Sequence, residues 1–438
     1  MAGNPIYLGI IGFGKVGSGT YETLLSNQES IDRKAGRPVR IKKIADINWS
    51  APRRVSVPVP KEMQTTDARD LISDPDISII VESIGGIKPS LDFVLAALRA
   101  GKNVVTSNKE LIARHGKELF DAAAEQNVDL MFEGAVGGGI PILRPLKSCL
   151  AGNRIRRVMG IVNGTTNFIL SRMAEQGADF ADSLAEAQRL GYAEPDPTSD
   201  IEGFDAAFKL AILASIAFET RVPVESVYRE GITRITARDM EYARQLGFAV
   251  KLLAIGVDAG GAPARPGLEA RVHPTLLPLD HPLSKVSGPF NAIFVSGSSV
   301  GEVMFYGQGA GSLPTGSAMV GDIIDIARNI VSGSTGRIAC TCFEDRQVLP
   351  MDEVTTRFYL RTQVADRPGV LAAVARVFAD EQVSLASVLQ MDASGEAAEI
   401  VWLTHKTKER QMQASLRKIE KLPEVHEISN CLRAETDA

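Results

Sequence analysis

The chain opens with an unbroken apolar run, residues 6–11 (IYLGII), short enough for a buried strand. A glycine-rich turn and a stretch with helical spacing, VGSGTYETLLSN, follow it directly. VRIKKIADI and DPDISIIVESIGG read as strands, PSLDFVLAALRAGK as an amphipathic helix, and NVVTSNKELIARHG as a strand, a loop and a helix. Strands alternating with helices predict a parallel α/β sheet. From about residue 150 the pattern changes. IRRVMGIVNGTTNFILSRM reads as strand, turn and helix, and RVPVESVYREGITRITARDMEYARQLG as a broken helical region. FAVKLLAIGVDA, LEARVHPTLLP and FNAIFVSG then follow as strands without intervening helices, which predicts an α+β second domain.

Near the C-terminus, residues 304–330 read as a glycine-rich loop and a helix, and the helix near 315–331 is expected to pack back on the first domain. Residues 336–355 read as a linker. From residue 356 the order is βαββαβ, the ferredoxin-like plan, in a segment of about 80 residues expected to fold as an independent unit. The expected organisation is therefore a dinucleotide-binding domain over 1–145, a substrate and dimerisation domain over 146–335, a linker, and a ferredoxin-like domain over 356–438.

Composition narrows the function classes. Apolar residues make up 45% and charged residues 23%, as in soluble globular proteins. A net charge of −5 shows no basic excess and argues against nucleic acid as a partner. The longest apolar runs are too short to span a bilayer, and the N-terminus enters a strand without a basic leader region. The four cysteines, at 149, 340, 342 and 431, lack CxxC spacing and a nearby histidine, so neither a zinc site nor a disulfide scaffold is indicated. A reducing cytoplasm fits this composition.

Three stretches carry candidate chemistry. Gly12-Phe13-Gly14-Lys15-Val16-Gly17 is a G-x-G-x-x-G turn between strand and helix. The first glycine permits the tight turn, the second lets backbone approach a pyrophosphate, and the third lets helix and strand pack closely. Asp46, at the end of the second strand, is placed to accept from an adenosine ribose hydroxyl. Arg53 and Arg54 follow, either as receivers of a 2′-phosphate or as a solvated basic pair, so NAD and NADP both remain open. The loop Thr106-Ser107-Asn108-Lys109 stands at the carboxyl end of a strand, where open α/β sheets bind ligands. Further on, Glu133, Val136, Gly138 and Ile140 lie in a glycine-rich turn, which is either a plain turn or an oxygen-donor site for a hard cation.

The third stretch, residues 187–209, is AQRLGYAEPDPTSDIEGFDAAFK. Asp205 and Lys209 are four residues apart, on one helical face, and Lys209 enters an almost wholly apolar run. Glu194 lies shortly before them in a loop stiffened by Pro195 and Pro197, and Asp200 is placed to cap the helix. A surface ion pair is one reading of Asp205 and Lys209. The other is a site that binds an ammonium group and moves a proton on a small polar substrate.

Taken together, these regions resemble homoserine dehydrogenase over essentially the whole chain. Ala187, Gly191, Tyr192, Ala193, Pro197, Asp200, Ile201, Gly203, Asp205 and Lys209 follow that family's signature, and Asp366-Arg367-Pro368-Gly369 resembles the first turn of an ACT domain, a regulatory amino-acid-binding module. The resemblance is to the monofunctional form, in which no kinase-like segment is expected before the dehydrogenase region. The resemblance implies NAD(P)-dependent interconversion of L-aspartate 4-semialdehyde and L-homoserine, on the route to threonine, methionine and isoleucine. It implies that Lys209 donates the proton, assisted by Lys109, and that Glu194 and Asp205 bind the substrate amino group. Gly12 to Gly17, Thr106, Ser107, Lys109, Gly191 and Gly309 would line the cofactor site. The loop of Glu133, Val136, Gly138 and Ile140 would hold a monovalent cation, usually sodium. L-threonine is the expected effector, and a homodimer or homotetramer the expected assembly. A related oxidoreductase for another amino-acid-derived aldehyde or imine, and a non-catalytic nucleotide and amino-acid sensor, are the rival readings.

Overall fold

The computed structural model describes residues 4–53, 55–261, 267–337, 339–390 and 397–436; Arg54, one candidate for a 2′-phosphate, lies outside them. In chain order the first elements are β1 (Ile6–Ile11), α1 (Lys15–Ser26), α2 (Gln28–Ala35), β2 (Val39–Ala45), β3 (Gln64–Thr65), α3 (Arg69–Ile72), β4 (Ile77–Glu82), α4 (Ser90–Arg99), β5 (Asn103–Thr106), α5 (Lys109–Glu125), β6 (Leu130–Met131) and β7 (Ile155–Ile161). Next come α6 (Gly164–Gln176), α7 (Phe180–Arg189), α8 (Thr198–Ile201), α9 (Phe204–Ala217), β8 (Tyr228–Arg229), α10 (Ala237–Gln245), β9 (Phe248–Asp258) and β10 (Leu268–Pro278). The chain ends with β11 (Phe290–Gly297), β12 (Gly301–Gln308), α11 (Ser312–Ser332), β13 (Thr355–Ala365), α12 (Val370–Asp380), β14 (Leu385–Gln390), β15 (Ala397–Thr404), β16 (Thr407–Lys408), α13 (Glu409–Ile419) and β17 (Val425–Ala434). Among the described residues no helix is long and apolar enough to cross a membrane.

The contacts divide the chain into two compact units. One comprises Met1–Val158, Ala211–Val224 and Asn291–Asp345; the other comprises Met159–Leu210, Glu225–Phe290 and Arg346–Ala438.

In the first unit, among the described residues, six strands pair in the order β3-β2-β1-β4-β5-β6. The pairings are parallel throughout, which is the dinucleotide-binding arrangement of the Rossmann type. β4 and β5 are buried along nearly their whole length, so their sequences run on as apolar residues instead of alternating with polar ones. α11 lies against α1, and Met319, Val320, Ile323 and Ile326 join the core of Leu8, Ile10, Phe13 and Tyr21. Two glycines permit that approach. A Cβ on Gly19 would fall 2.1 Å from the Ser312 carbonyl oxygen, and one on Gly316 would fall 2.5 Å from Gly19 backbone.

In the second unit, β9 and β10 form a long antiparallel pair from Phe248↔Pro278 to Asp258↔Leu268. The C-terminal strands run β17-β13-β15-β14, the ferredoxin-like order, over a core that includes Phe358, Phe378, Trp402 and Met412. This module is continuous with the rest of its unit. β17 pairs in parallel with β10 through Thr275↔Arg433 and Leu276↔Ala434. Asp239, fully buried at the start of α10, accepts from Arg361 Nε at 2.8 Å and Asn430 Nδ2 at 2.9 Å. Buried Arg271 pairs with Glu435 at 2.9 Å, and Arg433 with Glu230 at 2.7 Å. An edge strand and two buried charges of this module are thus completed by the rest of its unit.

Candidate functional site

The proton-transfer candidates lie where β7 gives way to α6. Asn163 follows the strand and caps α6, its Oδ1 accepting from Thr166 N at 2.9 Å. The same side chain turns its amide nitrogen to two carboxylates, Asp200 Oδ1 at 2.7 Å and Asp205 Oδ2 at 2.9 Å. Lys209 Nζ donates to Asp205 Oδ2 and to the Val162 carbonyl, each at 2.7 Å. An ammonium has three donors; these two bonds fix the direction of the third. Lys209 and Asp205 are both buried, so the pair is not the solvated surface bridge that the i,i+4 spacing also allowed. Burial raises the Asp200 carboxyl above its ordinary range; the Asn163 bond opposes that, and the Asp205 charge adds to it.

Asp200 does not cap the helix that carries the pair. It sits inside the short helix α8, and Gly203 (φ 78°) stands before α9, its carbonyl accepting from Ala207 N at 3.0 Å. A turn in the left-handed region breaks the two helices apart there, and glycine suits it. Glu194 is exposed in the loop after α7, and Gly191 (φ 77°) has open space where a Cβ would stand. Among the described bonds, Glu194 meets the site's surroundings only through its carbonyl, which accepts from Gln188. Asn163 was not among the sequence candidates. Its signal was local: an asparagine between an apolar strand and GTTNFIL is a cap signature.

In the first unit, the glycine motif takes the form its spacing requires. Gly12 has φ 90°, and a Cβ on Gly17 would fall 2.2 Å from the Gly12 carbonyl oxygen. A Cβ on Gly14 would meet nothing within 4 Å, so the space before the α1 N-terminus is open to a pyrophosphate. Asp46 accepts from Phe13 N at 2.7 Å and Asn48 N at 2.8 Å, and lies 3.1 Å from Arg53 Nη2. Arg53 also donates to the Phe13 carbonyl at 2.9 Å and stacks on Trp49. It is thus held by the protein rather than solvated. Thr106 Oγ1 donates to the buried Glu82 carboxylate at 2.6 Å and accepts from Asn108 N at 3.0 Å. Asn108 caps α5 through Leu111 N, leaving Lys109 half-buried at the first helical position, two residues after Ser107.

The glycine-rich loop after β6 changes what its carboxylate can do. The Glu133 carboxylate accepts from Ile142 N at 2.6 Å, Leu143 N at 2.8 Å and Arg144 N at 2.7 Å. It caps that turn and is committed there. Asp322 Oδ2 accepts from Glu133 N at 2.8 Å, and burial, then the Glu133 charge, push its carboxyl up to about 7. Val136, Gly138 and Ile140 fold back against β12, with Gly139 N donating to the Gln308 carbonyl at 3.0 Å. A Cβ on Gly138 would fall 2.5 Å from the Gly309 carbonyl oxygen, and one on Gly309 would fall 2.1 Å from Asn291 Cγ. Asn291 is buried, and neither its amide nitrogen nor its oxygen has a hydrogen-bond partner. An orphaned amide oxygen beside a loop of backbone carbonyls fits an oxygen-coordinated cation.

Comparisons with known proteins bear on these geometries. Residues 141–324 match the homoserine dehydrogenase family, residues 12–133 the homoserine dehydrogenase NAD-binding domain, and residues 358–424 the ACT domain. A homoserine dehydrogenase of Corynebacterium glutamicum is 46% identical over 435 residues, which span 99% of this chain and 97% of that one. The crystal structure of a homoserine dehydrogenase from Thiobacillus denitrificans superposes with a TM-score of 0.91 at 42% identity, covering 99% of this chain and 98% of that one. A hyperthermophilic archaeal homoserine dehydrogenase in complex with NADPH matches 74% of this chain and 98% of its own, with a TM-score of 0.61 at 29% identity.

Proposed function

This chain belongs to the homoserine dehydrogenase family and is an oxidoreductase, and on that premise we propose how its residues divide the work. The reaction is the reversible, NAD(P)-dependent interconversion of L-aspartate 4-semialdehyde and L-homoserine. The nicotinamide supplies the hydride chemistry. The protein's task is to fix the aldehyde and to give a proton to the oxygen as negative charge develops there.

The observation that carries this reading is the Lys209 environment. Val162 and Asp205 hold the ammonium in one orientation, Asn163 holds Asp205, and apolar residues of α9 keep the group dry. A buried cation so oriented stabilises an alkoxide before it donates to it. Asp205 and Glu194 bind the substrate ammonium. Gly12, Phe13, Gly14, Lys15, Val16 and Gly17 receive the pyrophosphate, with Thr106, Ser107, Lys109, Gly191 and Gly309 also assigned to the cofactor. Sodium is assigned to carbonyl oxygens of Glu133, Val136, Gly138 and Ile140, since the Glu133 carboxylate is spent elsewhere. L-threonine is the assigned effector of residues 356–438, in a cytoplasmic homodimer or homotetramer.

Initial rates of homoserine oxidation with NAD and with NADP, each with and without L-threonine, test the whole assignment. Turnover is expected with at least one cofactor; none with either would overturn it. A rate favouring NADP assigns Arg53 and Arg54 to a 2′-phosphate, and one favouring NAD assigns the ribose hydroxyl to Asp46.

A further inference from the structure

Residues 340–342 read Cys-Thr-Cys, in the segment following α11. Backbone bonds pin this segment on both sides. Gly336 N donates to Asp129 Oδ1 at 2.9 Å, while Glu344 N donates to the Glu219 carbonyl, also at 2.9 Å. Thr220 Oγ1 returns a bond to the Glu344 carbonyl at 2.9 Å. Between these anchors the chain turns tightly, Phe343 N donating to the Thr341 carbonyl at 3.0 Å.

That turn sets both cysteines on the lining of one cavity, with a single residue between them. Two cations face the same cavity. Arg221 Nη2 donates to Cys340 Sγ at 3.4 Å. Lys147, stacked on Phe120 at 5.0 Å and Phe132 at 4.9 Å, also lines the cavity. Burial lowers the Lys147 pKa, and the two cysteines are the first charges that oppose this. The Cys342 hydrogen bonds hold Cys340 well below the ordinary thiol range, with Arg221 and Lys147 adding to the effect; Cys342 is pushed up by its bond to Cys340. This is an electropositive, partly exposed pair of thiols, the kind of surroundings that favour a thiolate. No part of the dehydrogenase assignment uses it.

We propose that Cys340 and Cys342 form a reversible dithiol–disulfide centre, in which Cys340 is the attacking thiolate and Cys342 the resolving thiol. The co-reactant is a low-molecular-weight disulfide. The Cys340 thiolate attacks one of its sulfurs; a protein–small-thiol mixed disulfide forms and the first small thiolate leaves, taking a proton from solvent. Cys342, losing its proton, attacks Cys340 sulfur and expels the second small thiolate, which takes up that proton. The two protein thiols are oxidised and the external disulfide is reduced to two thiols. With one residue between them, the two Cα atoms are at most about 7 Å apart, at the edge of the range of about 4.4–6.8 Å that disulfides span. Such a closure is strained, which makes the bond easily reduced and suits a reversible site over a structural one.

The test uses the full-length, fully reduced protein with oxidised glutathione as probe, followed by peptide mass spectrometry. The expected result is loss of two hydrogens from the peptide bearing Cys340 and Cys342, with no glutathione retained and full reversal by dithiothreitol. Exposed Cys149 is the internal reference, and its oxidation is expected to lag. Cys342→Ser should trap glutathione on Cys340, and Arg221→Gln should slow closure by about tenfold. A peptide that stays reduced while Cys149 reacts, or a glutathione adduct that persists on Cys340 in the unaltered protein, would overturn the proposal.

Discussion

Asn163→Ala separates the two tasks of one side chain. The amide oxygen caps α6 through Thr166 N, and the amide nitrogen bridges Asp200 and Asp205. Losing an asparagine cap costs about 1 kcal/mol. Losing a hydrogen bond to a charged group costs about 1.5–3 kcal/mol. Asp205 keeps its Lys209 bond, so the larger share falls on Asp200, whose buried carboxyl is already raised. A total loss of about 3 kcal/mol in unfolding free energy is expected from urea denaturation. Asn163→Ser distinguishes the causes, because serine caps a helix nearly as well as asparagine but does not reach both carboxylates. It should recover about 1 kcal/mol of stability. It should not recover turnover, since the Asp205 and Lys209 orientation is still released. Homoserine oxidation, followed by reduced-nicotinamide absorbance, is expected to fall at least about tenfold in both variants, a barrier change of about 1.4 kcal/mol. If serine restored turnover along with stability, Asn163 would be a helix cap only.

Lys209→Met should lower kcat by about 10²–10⁴, the range for a positioned proton donor, while the cofactor dissociation constant stays unchanged; near-normal turnover would remove Lys209 from the mechanism. Asp205→Ala should mainly raise the KM for homoserine, and an unchanged KM would refute the ammonium assignment. Deleting residues 356–438 should give an insoluble or unfolded chain rather than a threonine-insensitive enzyme, because it bares part of the β10 edge and takes Arg361 and Asn430 from buried Asp239 and Glu435 from buried Arg271; a soluble, active truncation measured by size-exclusion chromatography would refute this. Burial pulls the Lys251 ammonium down to about 8, opposed by Glu175. Its folded pKa lies below the unfolded value of about 10.4, so the unfolded chain binds more protons in that interval. Stability should therefore rise with pH between about 8 and about 10.4, and Lys251→Met should flatten that rise in urea midpoints; an unchanged slope would count against it.

The fold class was legible because backbone geometry imprints itself on neighbouring residues. Strands buried on both faces need continuous apolar runs, as in ISIIVE of β4, and a nucleotide turn needs glycine where Gly12 and Gly17 leave no room for a Cβ. The βαββαβ order near the C-terminus is equally a property of consecutive segments. Pairing between distant strands has no such imprint. Nothing in LEARVHPTLLP announces that Thr275 and Leu276 meet Arg433 and Ala434, since an edge filled by a strand from the far end of the chain carries the same apolar residues as one filled by a neighbour.

The polar residues show the same division more sharply. Asp205 and Lys209 could be paired from their spacing, because a helix fixes which residues share a face. Whether such a pair is solvated or buried depends on what covers it, and that is decided by the residues between β7 and α6, more than forty positions away. Glu133 and Asp46 show the converse. In the sequence each stands as a carboxylate open to a ligand; in the structure each accepts from backbone N–H groups that loop folding supplies. A carboxylate in a sharp turn is attracted first to the nearest amides, which need a partner whether or not a ligand ever arrives. The two differ in exposure: Asp46 stands half-buried and keeps a lone pair that a ribose hydroxyl can reach, whereas the Glu133 carboxylate is buried among the three amides it holds. A polar side chain near a sharp turn is therefore open to a ligand only after the backbone around it has been satisfied; three amides take up the Glu133 carboxylate, whereas both amide atoms of Asn291 are without a hydrogen-bond partner.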